Sequence, residues 1–306
     1  MENNINMNKC SLNGIPHKII NSNNVEKLIL NNNHIKYIPD KFYDLINLKY
    51  LYLSNNKIEI ISDKFCNLIN LIELNLSDNK IEIIPDKFCD LINLKYLYLI
   101  NNEIEIIPDK FCNLINLIEL NLLYNKIEII PDELGNLINL IDLNLSCNKL
   151  KKLPDSIGNL INLTILYINE NKIKFLPEST NKLINLEYLN IGLTQISIIP
   201  NLISLKYIVI SELYITTIIP ENNFYTSTIY LINIKSIKYL TNGISNTHNS
   251  VLIDQTCGFE YNNIPFLFNI NVIFNYYASP YIGKPIKKIP YKCKLVNIYK
   301  YSHVFN

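Results

Sequence analysis

Hydrophobic residues follow a 23-residue repeat along most of this 306-residue chain. One copy reads LxxLxLxxNxIxxIPxxFxxLxN from Leu71 to Asn93, and the frame also starts at positions 25, 48, 94, 117, 140, 163 and 186 without insertion. Self-similarity at such a period is typical of stacked structural units. One unit is too short to bury both of its faces, so we expect stability to come from stacking on neighbours.

Two kinds of spacing occur within one unit. Leu74 and Leu76 alternate with polar residues, which predicts a short strand with leucines on its inner face. Pro85 then interrupts strand pairing, and Phe88 and Leu91 lie three residues apart, as on one short helical turn. Each unit is therefore predicted to be a coil made of a strand, a turn and a helical return.

An asparagine follows each predicted strand at the same frame position. The turn there leaves backbone N–H and C=O groups away from water, and an Asn amide can both donate to and accept from such groups. We therefore predict a structural asparagine ladder formed by Asn33, Asn56, Asn79, Asn102, Asn125, Asn148 and Asn171.

These motifs resemble the leucine-rich repeat family, in particular the 23-residue class of intracellular Ras-associated scaffolds. The segment LPDSIGNLINL, from Leu153 to Leu163, matches the LPxxIGxLxxL return segment of that class. The resemblance implies an α/β solenoid, a leucine-rich repeat horseshoe with a parallel concave sheet and short helical or 3-10 convex segments. For function it implies a protein-binding scaffold.

The repeat pattern weakens at both ends, which predicts three regions. Residues 1–24 form a degenerate N-terminal capping repeat with Cys10 in the ladder position, and residues 25–219 form about nine repeats. Residues 220–306 hold degenerate C-terminal repeats or a cap and an irregular tail. Terminal repeats are expected to be atypical because one of their faces meets water.

Composition and charge indicate a folded chain inside a cell. The net charge is +1, all 28 basic residues are lysines, and the first ten residues lack the apolar core of a signal peptide. No apolar stretch is free enough of polar residues to predict a membrane span. We therefore expect a cytoplasmic protein. The dominance of Asn, Ile, Lys, Tyr and Phe also predicts an AT-rich genome, such as that of an amoebal large DNA virus or a protist.

The seven cysteines include no CxxC pair. Three of them, Cys66, Cys89 and Cys112, occupy one frame position directly after a phenylalanine, which predicts a small buried apolar slot. An odd number of cysteines without paired spacing is consistent with a reducing compartment.

Motifs for catalysis are missing from the sequence. The four histidines are scattered without zinc-binding spacing, and the seven glycines form no phosphate-binding loop. We therefore predict no catalytic residues, no metal, no cofactor and no enzymatic activity. Two alternatives stay open: an effector enzyme or ligase acting through Cys257 or Cys293 in the tail, and nucleic-acid binding by the lysines and tyrosines of residues 284–300.

The outward positions of the predicted strands are the candidate binding surface. Tyrosine strands there alternate with acid and amide strands, and we expect the tyrosines to be exposed and to bind a protein partner, basic in character because of the carboxylates. The predicted partner-binding residues are Tyr50, Tyr52, Glu73, Asn75, Tyr96, Tyr98, Glu119, Asn121, Tyr124, Asp142, Tyr167 and Tyr188. Duplication of a repeat pair could alone explain the alternation, because residues 48–93 and 94–139 differ at only nine positions.

Overall fold

The computed structural model describes residues 3–22, 24–196, 198–200 and 202–211, and five short strands between residues 214 and 275. The strands are β1 Asn4–Asn6, β2 Lys27–Ile29, β3 Tyr50–Tyr52, β4 Glu73–Asn75, β5 Tyr96–Tyr98, β6 Glu119–Asn121, β7 Asp142–Asn144, β8 Ile165–Tyr167, β9 Tyr188–Asn190, β10 Tyr207–Ser211, β11 Tyr214–Ile215, β12 Thr228–Ile232, β13 Ser236–Ile237, β14 Ser250–Asp254 and β15 Asn271–Asn275. Each repeat within 25–190 contributes one strand of three residues.

The strands form one open parallel sheet in chain order. Thirteen strands, β1 to β10 followed by β12, β14 and β15, pair side by side, and β11 pairs with β13 in a separate two-stranded sheet. From β2 to β9, residues 23 positions apart lie opposite each other, as Leu74 does between Leu51 and Leu97. The predicted solenoid with a parallel sheet is therefore confirmed.

Short helices return the chain from one strand to the next. After the α-helix α1 at His17–Ile20, seven 3-10 helices follow, at Asp40–Asp44, Asp63–Asn67, Asp86–Asp90, Asp109–Asn113, Asp132–Asn136, Asp155–Asn159 and Glu178–Lys182. Pro85 precedes one of them in extended conformation, and its carbonyl accepts from the Phe88 N–H at 3.0 Å. The five residues between Pro85 and Leu91 form one such short helix, and 3-10 helices commonly serve as connectors of this length.

The core lies between the sheet and the 3-10 helices and runs without a break through the repeats. The frame leucines and isoleucines are buried, and Phe42, Phe65, Phe88 and Phe111 are fully buried at one position of consecutive coils. Phe65 and Phe88 contact with ring centroids 5.9 Å apart. Each coil thus buries its apolar residues against its neighbours, as the repeat pattern predicts.

The seven predicted ladder asparagines are all buried and tie each coil to the one before it. Asn79 donates to the carbonyl of Leu53 in the preceding coil at 3.0 Å and accepts from the N–H of Ile58 at 2.9 Å. It also donates to Leu76 and Ser77 of its own coil. The same contacts to the preceding coil recur at every ladder position from Asn33 to Asn171.

The ladder changes where Thr194 replaces asparagine. Its hydroxyl donates to Ile191 at 2.6 Å and accepts from Ile196 at 3.4 Å, both within its own coil. A hydroxyl is shorter than an amide, so this side chain makes none of the bonds to the preceding coil described for the ladder. The division into a cap at 1–24, repeats at 25–219 and a tail at 220–306 stays a prediction, because the structure describes only five strands beyond residue 211.

The residue before each ladder position adopts a left-handed conformation. Asn and Asp, which tolerate positive φ, occupy this place at Asn32, Asn55, Asp78 and Asn101. Residues that favour positive φ less occupy this place at Tyr124, Cys147, Glu170 and Leu193. In all eight residues from Asn32 to Leu193, φ lies between 51° and 57°. The same turn is therefore kept at positions where the side chain no longer favours it.

The predicted cysteine slot is only partly correct. Cys89 and Cys112 are buried, and burial raises the pKa of each thiol to about 12. Cys66 is only half-buried. Cys66 therefore lies at the rim of the slot, whereas Tyr43, at the same frame position in the preceding coil, is buried and packs against Phe65 with ring centroids 5.2 Å apart.

Leu97→Ala should lower the free energy of unfolding by about 2 to 5 kcal/mol, because it leaves a cavity at a fully buried position of a central strand. Lys80→Ala, at an exposed position, should change it by less than about 0.5 kcal/mol. Denaturant titration measures both values. Equal shifts for the two variants would contradict the stacked-coil core.

Glu170→Asn should raise the free energy of unfolding by about 0.5 to 1 kcal/mol, because asparagine adopts the left-handed conformation at lower cost. Thermal or denaturant unfolding measures the gain. Glu170→Ala serves as the control, since it removes the same carboxylate without favouring the turn. A gain of the same size in the alanine variant would show that charge rather than backbone conformation limits stability here.

Candidate functional site

The outward side chains of β3 to β9 form a continuous surface, called here the strand face. In each strand the central leucine points into the core and the two flanking residues point outward, as Tyr50 and Tyr52 do around Leu51. The parallel register places these flanking residues in two rows across the sheet. The first row is Tyr50, Glu73, Tyr96, Glu119, Asp142, Ile165 and Tyr188; the second is Tyr52, Asn75, Tyr98, Asn121, Asn144, Tyr167 and Asn190.

The tyrosines of the strand face are half-buried, which corrects the expectation that they are exposed. Tyr50, Tyr52, Tyr96 and Tyr98 all have intermediate accessibility. Strands about 4.8 Å apart bring each ring against the residues on both neighbouring strands, so much of its surface is covered before any partner arrives. The rings are thereby held in place, which lowers the entropy lost on binding.

Tyrosines and carboxylates pair across adjacent strands. The Tyr98 hydroxyl donates to the Glu119 carboxylate at 3.0 Å, and burial together with the Glu119 charge raises the pKa of Tyr98. Burial and a hydrogen bond to Glu73 raise the pKa of Tyr52 to about 12. The sequence pattern gives the alternation of the two residue types but not these bonds. Both phenols stay neutral near pH 7 and orient the carboxylates.

The middle of the strand face is acidic and contains a strained carboxylate. Glu119 and Asp142 are direct cross-strand neighbours, so two carboxyl groups lie side by side. Burial first, and the Glu119 charge second, raise the pKa of Asp142 to about 7. A cation from a partner would relieve this unfavourable interaction.

Aromatic contacts flank the acidic middle on both sides. Tyr167 and Tyr188 contact across β8 and β9 with centroids 5.0 Å apart. At the other side the Lys27 ammonium lies 5.3 Å from the Tyr52 ring and 5.9 Å from the Tyr50 ring. The strand face therefore runs from a cation–aromatic cluster through an acidic centre to a tyrosine pair.

A family profile described as a leucine-rich repeat region matches residues 24–151. Solved structures whose fold matches that of this chain are leucine-rich repeat proteins as well. Residues 24–151 belong to the leucine-rich repeat family. This fold is a common protein-interaction scaffold and is typically non-enzymatic. The narrower Ras-associated class and the AT-rich genome of origin stay predictions.

Three solved structures illustrate the similarity of fold. A leucine-rich repeat protein of Leptospira interrogans has 24% identity and a TM-score of 0.57, covering 84% of this chain and 79% of its own. An internalin of Listeria monocytogenes has 24% identity and a TM-score of 0.57, and the match covers 84% of this chain and 82% of the internalin. The plant peptide hormone receptor RGFR1, solved in complex with RGF2, has 23% identity and a TM-score of 0.66. The match covers 85% of this chain and 45% of the receptor chain. No curated protein sequence matches the chain.

One predicted binding residue lies away from the strand face. Tyr124 belongs to the left-handed turn after β6, is 54% exposed, and interacts with the Cys147 thiol of the next turn. Its frame position is that of Asn101 in the preceding repeat, so its ring follows the turn rather than the sheet. The remaining predicted binding residues all occupy the two rows of the strand face.

A second row of asparagines was not predicted as a ladder, although asparagine recurs as the last residue of the 23-residue frame. Asn116 donates to the Ile92 carbonyl of the preceding coil at 2.7 Å, and Asn139 donates to Ile115 at 2.9 Å. The row comprises Asn70, Asn93, Asn116, Asn139, Asn162 and Asn185. Together with Ile118, Ile141 and Thr164, its later members line a groove of about 580 Å³ beside the start of the strands.

No group of three or more His, Cys, Asp or Glu side chains suited to a metal lies among the described residues. Cys257 and Cys293, and the basic segment 284–300, lie outside them. None of the described helices has both the length and the apolar character needed to span a membrane.

Asp142→Asn should stabilise the protein at high pH. The pKa of Asp142 in the folded state, about 7, lies above that of an unfolded aspartate, so folding favours the protonated form. The contribution of protonated Asp142 to the free energy of unfolding is fully present below about pH 4, the pKa of an unfolded aspartate. It is lost as the pH rises through about 7, the pKa in the folded state. The neutral variant should therefore be more stable than the parent at pH 8, by on the order of 2 kcal/mol, with a smaller difference at pH 5.

Denaturant titrations at pH 5 and pH 8 measure this effect. Glu59→Gln, which neutralises an exposed carboxylate outside the strand face, is the matched control and should keep the pH dependence of the parent. Parallel pH profiles for Asp142→Asn and the parent would show that Asp142 is not a strained carboxylate.

Proposed function

We propose that this leucine-rich repeat protein is a non-enzymatic, cytoplasmic interaction scaffold whose strand face recognises a protein partner. The observation that carries the proposal is the arrangement of ordered tyrosines around an acidic centre, on a sheet whose spacing is set by the repeats. Tyrosine provides large apolar contact area and a hydroxyl at low entropic cost, and it is enriched at protein interfaces.

The size of the strand face favours a macromolecular ligand. Seven strands, β3 to β9, extend over about 29 Å at a spacing of about 4.8 Å. Such an extended surface suits a folded domain or an extended peptide better than a small molecule, which prefers an enclosed pocket. The RGFR1 structure, in which the receptor is in complex with RGF2, supports a peptide or protein ligand for this fold.

Charge favours a basic partner. Glu73, Glu119 and Asp142 lie near the middle of the strand face, and two of them are direct neighbours on adjacent strands. Two carboxylates side by side repel each other, and a lysine or arginine of a partner would be attracted to both. Complementary charge of this kind sets association rate and specificity more than total affinity.

Replacing Tyr96 and Tyr98 by alanine should weaken partner binding at least about tenfold, because buried interface tyrosines commonly contribute about 1 to 2 kcal/mol each. The partner is first captured from the native cell with the full chain and then titrated against both forms. Tyr37→Ala is the matched control, because Tyr37 is 75% exposed and lies off the strand face. It should bind normally.

A second variant tests the charge of the partner in the same titration. Glu73→Lys with Glu119→Lys should slow association with a basic partner and reverse its salt dependence. Unfolding midpoints of all variants establish that they stay folded. Normal binding by the tyrosine variant, combined with loss of binding on removal of residues 221–306, would place the functional surface in the tail instead.

A further inference from the structure

A row of exposed side chains, most of them apolar, lies outside the strand face at one frame position of successive coils. Its members, called here the ridge, are Ile83, Ile106, Ile129, Lys152, Phe175 and Ile198, and the five apolar ones are 56% to 73% exposed. The row continues towards the amino terminus at Ile60 and Tyr37, which are also exposed. Isolated exposed apolar side chains are ordinary, but a contiguous row marks a surface that another group covers.

The backbone holds the ridge at a regular spacing. Ile83 bridges to Ile106, and Ile106 bridges to Ile129, each as a parallel β-bridge. At a strand spacing of about 4.8 Å, the six coils from Ile83 to Ile198 extend over about 24 Å. The intervals between ridge side chains are therefore set by the stacking of the coils.

Two charged rows run beside the ridge, and their sign changes along the stack. The inner row directly precedes the ridge in sequence and consists of the exposed residues Glu82, Glu105, Glu128, Lys151 and Lys174. The outer row lies two residues earlier and consists of Lys80, Glu103, Lys126, Lys149 and Lys172. Four glutamates and two lysines thus border the first half of the ridge, and four lysines without an acid border the second half.

The ridge can pack against the ridge of a second copy of this chain. With the two stacks antiparallel and a two-fold axis between the third and fourth ridge positions, Ile83 lies opposite Ile198 of the second copy. Ile106 likewise lies opposite Phe175 of the second copy. Each contact occurs twice, because a two-fold interface pairs the same surface of both copies. The exposed apolar side chains of the two copies thereby cover one another.

The same arrangement brings opposite charges together in the inner row. Glu105 lies opposite Lys174 of the second copy. Glu128 and Lys151 pair within the chain at 3.3 Å and lie next to the axis, where they face the same pair of the second copy in reverse order. The four charges at the axis therefore alternate in sign, and each carboxylate is close to two ammonium groups.

The outer row contributes less, because it is farther from the ridge and its contacts are mixed. Glu103 lies opposite Lys172 of the second copy, whereas Lys126 lies opposite Lys149. Lys126 is already paired with Glu103 of its own chain at 2.8 Å, which reduces the repulsion of this like pair. The inner row therefore provides most of the charge complementarity.

Charge also selects one register of the two copies. An axis two coils earlier would pack isoleucine on isoleucine, but it would place Glu82 opposite Glu105 of the second copy, which is unfavourable. In the register described above, Ile129 lies opposite Lys152 of the second copy. The alkyl stem of that lysine can cover the isoleucine while its ammonium reaches water.

We propose that the ridge and its inner charged row form a two-fold symmetric contact between two copies of this chain. The contact packs Ile106 on Phe175 and Glu105 on Lys174 of the opposite copy, and it leaves the strand face of each copy open to a partner. A strip about 24 Å long and about three side chains wide is smaller than the roughly 800 Å² per partner of stable interfaces, so the dimer is weak and salt-sensitive. The proposal does not depend on the proposed function of the strand face.

Sedimentation velocity of the full chain at increasing concentration tests the dimer. Glu105→Lys should raise its Kd about tenfold, because both symmetry-related contacts to Lys174 become repulsive. Lys174→Glu should have the same effect, and the two changes together should restore the affinity, since the charges are exchanged. Glu59→Lys is the matched control, because it reverses an exposed glutamate that precedes Ile60, outside the contact, and it should dimerise like the parent.

Two results of this experiment would overturn the proposal. One is a parent chain that stays monomeric up to about 300 µM, where even a weak interface should be populated. The other is a dimer that Glu105→Lys leaves unchanged, because such a dimer would use another surface. Unfolding midpoints of the variants establish that the exposed substitutions leave the chain folded.

Photo-cross-linking locates the contact independently. Benzoylphenylalanine in place of Ile106 should, on irradiation, give a product of twice the chain mass whose adduct maps to the peptide around Phe175. The same group in place of Ile138, which is 52% exposed and lies beyond the next 3-10 helix, is the control and should give little of that product. Dimer adducts at position 106 that map only elsewhere in the chain would also overturn the proposal.

Discussion

The structure depends on one interaction, the bond network of a buried asparagine amide between successive coils. Each turn after a strand buries backbone groups that water cannot reach, and unpaired groups of this kind cost about 1 to 3 kcal/mol each. Asn79 satisfies carbonyls of two coils and one N–H at the same time. Because the amide has a fixed reach, it requires the preceding coil at one distance and in one register. The regular strand face follows from that register.

Much of the fold could be predicted from the sequence because each frame position has a single physical role. Leu74 and Asn79 recur with the same spacing in every coil, so their periodicity alone indicates a core position and a buried polar position. The half-burial of Cys66 could not be predicted in this way, because Cys89 and Cys112 share its frame position and are buried. A frame position does not determine how neighbouring side chains share the space around it.

The candidate site was only partly predictable. Position in the frame places Tyr98 and Glu119 on the strand face, but the hydrogen bond between them depends on side-chain conformations across two strands. The raised pKa of Asp142 likewise arises from burial by surrounding residues and from the charge of its neighbour Glu119. Tyr124 was predicted to belong to the binding surface because it is close to β6 in sequence, but it lies in the left-handed turn after that strand. Chemistry that depends on pairs of side chains requires the three-dimensional arrangement.

The asparagine ladder also has a direction. Every ladder side chain from Asn33 to Asn171 reaches back to the preceding coil, whereas Thr194 bonds only within its own coil. The junction before the coil of Thr194 therefore lacks a tie that each earlier junction has. Local opening follows the weakest junction, so the amide hydrogens of the described residues between 186 and 211 should exchange with solvent before those of the central coils. Unfolding should therefore start at this end of the stack, and Asn171 is the last ladder residue that bonds to the preceding coil.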